Sequence, residues 1–168
     1  LMMSSNGKPT PPEEFDQALR LIPAPVAIVG VRKGDVLGGL TAAWVTRVSI
    51  DPALLLVSIG HQRHTWKLLE GAEQFTISIL AEGQVSEARL FGLKSRIEVD
   101  KWAQVDHDLL GNGIPALRHC TSRFLCQVED VIRTGDHYCF VGEIIAAEVV
   151  DGAPALPMRG ADDPPGQD

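Results

Sequence analysis

From Pro25 to Leu40 the chain reads PVAIVGVRKGDVLGGL, an apolar run, a turn and a second, weaker apolar run. Val, Ile and Ala dominate VAIVGV, and β-branched residues favour a pleated, partly buried surface. Lys33-Gly34-Asp35 supplies turn residues, so the pattern predicts a strand at VAIVGV and a second near Val36–Leu40. The same reading extends outward. Leu54–Ile59 is continuously apolar and predicts a strand buried on both faces. Phe75–Leu80 alternates, with Phe75, Ile77 and Ile79 on one face and Thr76 and Ser78 on the other. Phe124–Ile132 and Tyr138–Val150 predict long strands joined by the turn Thr134-Gly135-Asp136.

Helical signals are short. Pro11-Pro12 leads into EEFDQALRLI, where Phe15, Ala18, Leu19 and Ile22 share a face and acids fill the first turn. That helix stops at Pro23-Ala24-Pro25, because proline disfavours helix in the residue before it. Further helical pieces fit Thr65–Gly71, Gln84–Phe91 and Glu98–Gln104. Six strands with only short helices between them do not make a regular βα alternation. A mainly β fold, an antiparallel barrel of Greek-key type that is closed or nearly so, accounts for them better because closure removes exposed edges.

The 168 residues suit one domain with one core. Segments 1–12 and 152–168 are rich in Pro, Gly and Ser and are expected to be flexible, with Leu156 and Met158 able to dock onto a body spanning 13–151. Fifteen Lys and Arg against 22 Asp and Glu give a formal charge of −7, which argues against broad nucleic-acid binding. A local basic pocket for a small anion is still compatible with it. No apolar stretch reaches the roughly 18 residues needed to span a bilayer, and no signal-peptide pattern is present, so no membrane partner is expected. Cys120, Cys126 and Cys139 are too few for a disulfide framework, and the chain reads as cytoplasmic.

Three segments can carry chemistry. In GGLTAAWVTRVS, Gly38 to Ser49, glycines and alanines leave the backbone open to a flat ligand, Thr41 and Thr46 add hydroxyls, and Trp44 fits either a stacking role or a core. In HQRHTW, Thr65 is a candidate N-cap, and Arg63 and His64 precede the helix start, which makes a phosphate cradle or an ordinary solvated loop. His61 and His64 lack further ligands at a recognisable spacing, so no metal site is expected. Third, His137 follows Gly135-Asp136 at a turn and is either a surface histidine or one that titrates against a cofactor. There is no P-loop, no G-x-G-x-x-G, no G-x-S-x-G elbow and no paired CxxC.

Taken in order, Pro25-VAIVGV, GGLTAAWVTRVSIDP, LLLVSI, HQRHTWKLL, FTISIL, GIPAL, FLCQVED and GDHYCFVGEI resemble the flavin reductase-like, FMN-binding split-barrel proteins. The form TAAWVTRVS is similar to the flavoredoxin-like branch. The resemblance implies a homodimeric split β-barrel with FMN in a groove at the interface and NADH or NADPH as co-substrate. It implies that Thr41, Ala42, Ala43 and Trp44 line the ring and ribityl, with Thr46 and Ser49 nearby. His61, Arg63, His64 and Thr65 would meet the ribityl and phosphate end, and Lys101 would add a charge there. Leu80 and Ala81 would approach the ring through main chain, and His137 would stand on the nicotinamide side. The implied activity is an NAD(P)H-dependent flavin oxidoreductase. Two alternatives stand beside it: an electron carrier with tightly held FMN that serves a protein partner, and a non-catalytic barrel without flavin.

Overall fold

The structure, a computed structural model, describes residues 13–61, 65–93 and 100–158. Helix α1 (Glu13–Leu19) leads into strands β1 (Ala27–Lys33), β2 (Val36–Ala42), β3 (Val45–Ser49) and β4 (Leu54–Gly60). A single-turn helix α2 (Trp66–Leu69), strand β5 (Gln74–Ile79) and helix α3 (Val85–Leu93) follow. A 3-10 turn at Trp102–Gln104 then precedes β6 (His107–Leu110), β7 (Ile114–Leu117), β8 (Ser122–Thr134) and β9 (His137–Val149).

Seven strands form one sheet in the order β2-β1-β5-β8-β9-β4-β3, and every neighbouring pair in it is antiparallel. β2 and β3 stand at opposite ends of that order, yet only Ala43 and Trp44 separate them in the chain. Two residues cannot bridge the breadth of a flat seven-stranded sheet, so the sheet must curl until its edges meet. The expected barrel is therefore present, and it is split where β2 meets β3 without a ladder.

Its interior is filled by Val29, Val31, Leu40, Leu55, Val57, Ile59, Phe75, Ile77 and Phe140. A second cluster lies outside the sheet, where Val26, Ile28 and Leu80 pack against Ala88 and Phe91 of α3, Trp102 and Leu156. β1 thus feeds both cores, and this is why VAIVGV is apolar at successive positions. A fully buried side chain of this size contributes about 1.5–3 kcal/mol, so the strand is fixed from both faces. β4 corrects the expectation made for it: Leu55, Val57 and Ile59 are buried while Leu54, Leu56 and Ser58 are only partly so.

Other expectations also change. β3, β6 and β7 were not foreseen as strands; β6 and β7 form a separate hairpin that packs by side-chain bonds on the sheet, with Thr76 Oγ1 donating to the Pro115 carbonyl. Helix α1 ends at Leu19, short of the expected Ile22, and among the described residues its apolar side is uncovered, with Phe15 60% and Leu19 54% exposed. Residues 152–158, expected within a flexible tail, are instead built into the fold. Leu156 is buried, its N–H donates to Leu80 O, and its carbonyl accepts from Val26 N. Of the predicted helix Glu98–Gln104, only the turn Trp102–Gln104 is seen among the described residues.

Candidate functional site

The split between β2 and β3 sets the position of the site. Ala43 and Trp44 turn the chain there, and the Trp44 carbonyl accepts from Ser58 N of β4 at 2.9 Å. The end of β4 pairs with the start of β9, Gly60 lying opposite His137. Because side chains alternate along a strand, Tyr138 faces the barrel while His137 faces out beside Gly60. Tyr138 stacks on Trp66 at 4.1 Å and closes the barrel mouth from inside. On the outer face the Trp44 and His137 rings lie 4.6 Å apart, tilted by 35°.

This corner is open. Trp44 is 43% exposed, which excludes the core role that its sequence context permitted. Ala43 and Gly60 are half-buried and contribute little or no side-chain bulk. Among the described residues, a hypothetical Cβ at Gly60 would meet only the His137 ring, 3.7 Å from Nε2 and 3.9 Å from Cε1. The turn below is tied down: the Asp136 carbonyl accepts from His61 N at 3.3 Å and from His61 Nδ1 at 2.9 Å. The Asp136 carboxylate meets His137 Nδ1 at 2.6 Å, and that hydrogen bond holds its pKa below the usual carboxylate value. An aromatic face, an imidazole and a floor without side chains suit a flat, polar-edged ring.

The remaining expected residues divide. Gly38 and Gly39 do admit close approach, but the protein's own side chains make it. Leu68 packs on Gly38, and a Cβ at Gly39 would lie 2.7 Å from Phe91 Cε1. Thr41 Oγ1 donates to Ala88 O at 2.7 Å, and Thr65 Oγ1 to Gly39 O at 3.1 Å. A threonine hydroxyl has one proton, so neither is left to donate to a phosphate. Thr65 is helical and makes no side-chain cap, which corrects the N-cap expectation, and a single-turn α2 carries little dipole. Lys101 is buried, with Nζ donating to Phe91 O at 3.0 Å near the end of α3.

Ala42 points into the barrel core, and Thr46 is exposed on β3. The main chain of Leu80 and Ala81 is engaged: Leu80 N with Val26 O, Leu80 O with Leu156 N, and Ala81 N with Gln84 Oε1. Arg63 and His64 lie outside the described residues. The structure therefore joins Ala43, Trp44, His61 and His137 at one corner, places Thr41 and Lys101 against α3, and bonds Thr65 to β2. Gly60 and Asp136 complete the corner and were missed as site residues. The signal was faint, since Gly60 ends an apolar run and Asp136 reads as a turn residue. Among the described residues no group of three or more His, Cys, Asp or Glu could hold a metal ion.

A family model described as a flavin reductase-like domain matches residues 19–162. The stachydrine N-demethylase reductase subunit Stc3 of Rhizobium meliloti (strain 1021) is 35% identical over 125 residues, covering 73% of this chain and 53% of that protein. The NADH:riboflavin 5'-phosphate oxidoreductase of Streptomyces pristinaespiralis is 32% identical over 151 residues, 87% of this chain and 81% of that one. The crystal structure of an FMN-binding protein from Thermus thermophilus with bound 1-cyclohex-2-enone superposes with a TM-score of 0.81 at 32% identity, covering 96% of this chain and 94% of that one. Against the first three curated relatives the chain spans about half their length, 53%, 62% and 34%.

Proposed function

The chain belongs to the flavin reductase-like domain family, and from that premise we propose that it binds FMN at the Trp44–His137 corner and reduces it with NADH or NADPH. The balanced reaction is NAD(P)H + H⁺ + FMN → NAD(P)⁺ + FMNH₂. FMN, when bound, supplies the ring nitrogen that accepts the hydride, and the protein supplies position.

One observation carries the reading. Trp44 and His137 face each other on an exposed corner whose floor, Gly60 and Ala43, has almost no side chain. Trp44 offers a face for a flat ring, and small residues let two rings approach to about 3–3.5 Å, where positioning lowers the barrier. His137 is the proposed catalytic residue, on the nicotinamide side. Arg63 and His64 are kept as the proposed phosphate end on sequence grounds, since the hydroxyl protons of Thr41 and Thr65 are engaged elsewhere. Two proteins named as reducing FMN with NADH, from Streptomyces pristinaespiralis and Streptomyces nodosus subsp. asukaensis, support the choice of cofactor and co-substrate.

The homodimer belongs to the same proposal. Phe15 and Leu19 of α1 and Ile22 just after it are exposed among the described residues, and a second copy would bury them. So does a cytoplasmic location, which suits three cysteines that form no disulfide. The test is FMN titration by quenching of flavin fluorescence, followed by NADH or NADPH oxidation with and without added FMN. Saturable quenching and turnover support a reductase. Quenching without turnover points to the electron carrier, with a protein as acceptor, and no quenching to a barrel that holds no flavin.

A further inference from the structure

We propose that Asp136 is a positioning residue: it fixes the tautomer and orientation of His137, so that the neutral imidazole presents the lone pair of Nε2 to the corner above Gly60. A carboxylate can only accept, so the 2.6 Å contact requires that His137 Nδ1 carry the proton. In a neutral ring the other nitrogen is then an acceptor. That nitrogen lies on the Gly60 side, 3.7 Å from where a Cβ on Gly60 would stand, and glycine puts no side chain there. The Trp44 ring, 4.6 Å away, limits rotation of the imidazole about its own axis.

The turn that carries Asp136 is itself anchored. Its carbonyl takes two hydrogen bonds from His61, and Gly135 before it has φ +39°, a conformation that other residues rarely adopt. Among the described residues, the titratable groups around His137 are Asp136 on its own turn and His61 from the end of β4. Asp136 is 77% exposed, so the pair adds little to stability. Its effect is on which nitrogen faces outward. An acceptor there matches an amide N–H, such as the carboxamide of a nicotinamide. That identification rests on the function proposed above; the tautomer itself does not.

The experiment is two-bond ¹H–¹⁵N NMR of the histidine rings in the labelled, flavin-free protein, across the imidazole titration. Wild type is expected to show His137 protonated at Nδ1 and pyridine-like at Nε2. Asp136→Ala removes the acceptor and should return the ring to mainly Nε2–H. Asp136→Asn keeps an acceptor oxygen at the same place, so the tautomer should persist in that variant. Unchanged backbone spectra away from the turn show that each variant folds. With nicotinamide nucleotide, Asp136→Ala should raise KM about tenfold, the loss of one oriented hydrogen bond, with kcat changed less. An Nε2–H ring in wild type, or the same tautomer in wild type and Asp136→Ala, overturns the proposal. If the tautomer follows Asp136 but no nucleotide is oxidised, the functional reading fails and the positioning role stands.

Discussion

Thr65 Oγ1 donates its proton to the Gly39 carbonyl at 3.1 Å and so fastens the start of α2 to the middle of β2. The hydroxyl is buried, and its partner sits where Phe91 and Trp102 crowd the glycine. Thr65→Val keeps the shape and deletes the donor. It should lower unfolding free energy by about 1–2 kcal/mol in urea titrations and leave FMN affinity of the folded protein unchanged. Weaker FMN binding at unaltered stability would assign Thr65 to the ligand instead.

Gly39→Ala tests the same region by volume. The added Cβ would sit 2.7 Å from Phe91 Cε1 and 3.0 Å from Trp102 Nε1, both on buried rings. Overpacking of this kind costs about 1–3 kcal/mol. A thermal midpoint within error of wild type would show that α3 and the Trp102 turn can move aside.

At the proposed ring site, Ala43→Leu inserts bulk beside Trp44 while leaving both hydrophobic clusters untouched. The expected outcome is a normal melting transition with FMN affinity reduced about tenfold or more, read by fluorescence titration. Unaltered affinity and reductase rate would remove Ala43 from the site.

Acid stability should depend on Asp108. Its carboxyl titrates below the ordinary carboxylate value, first because Arg123 bonds to it at 2.8 Å and further because Arg118 does at 3.1 Å. A folded-state pKa below the unfolded one contributes stability at neutral pH that is lost as pH falls through the carboxylate range. Urea midpoints of wild type and Asp108→Asn should therefore differ most near neutrality and converge on acidification. A pH-independent difference would contradict the assignment.

Much of this fold was legible from patterning. The alternation of Phe75, Ile77 and Ile79 and the turn Lys33-Gly34-Asp35 report strands directly, because successive side chains point to opposite faces, apolar toward the barrel and hydroxyl-bearing toward β7. Other elements were hidden for identifiable reasons. β3 begins directly after Trp44 and carries Thr46, Arg47 and Val48 outward, so it shows no buried alternation. β6 and β7 are four residues each, with Gly111 and Gly113 between them and Pro115 inside the second. The continuous run Leu54–Ile59 misled because partly buried leucines fill the outer face, whereas β1 and β5 are the strands buried at successive positions.

The site was less legible than the fold. The resemblance put Ala43 and Trp44 at the ring, His61 at the phosphate end and His137 on the nicotinamide side, and the curl of the sheet brings all four to one corner. Thr41, Thr65 and Lys101 carry the right chemistry for a phosphate, yet α3 and β2 take the hydroxyl protons and hold the ammonium. Spacing along the chain cannot say which partner a hydroxyl will find. Nor can it separate Asp136 as a turn residue from Asp136 as the acceptor for His137.

Anaerobic addition of NADH or NADPH to the protein loaded with one equivalent of FMN tests the central claim most directly. Bleaching of the visible flavin band at a rate that saturates with nucleotide, and that falls in Ala43→Leu, is the predicted result. A flavin that stays oxidised, or that is reduced no faster than free FMN under the same conditions, would contradict it.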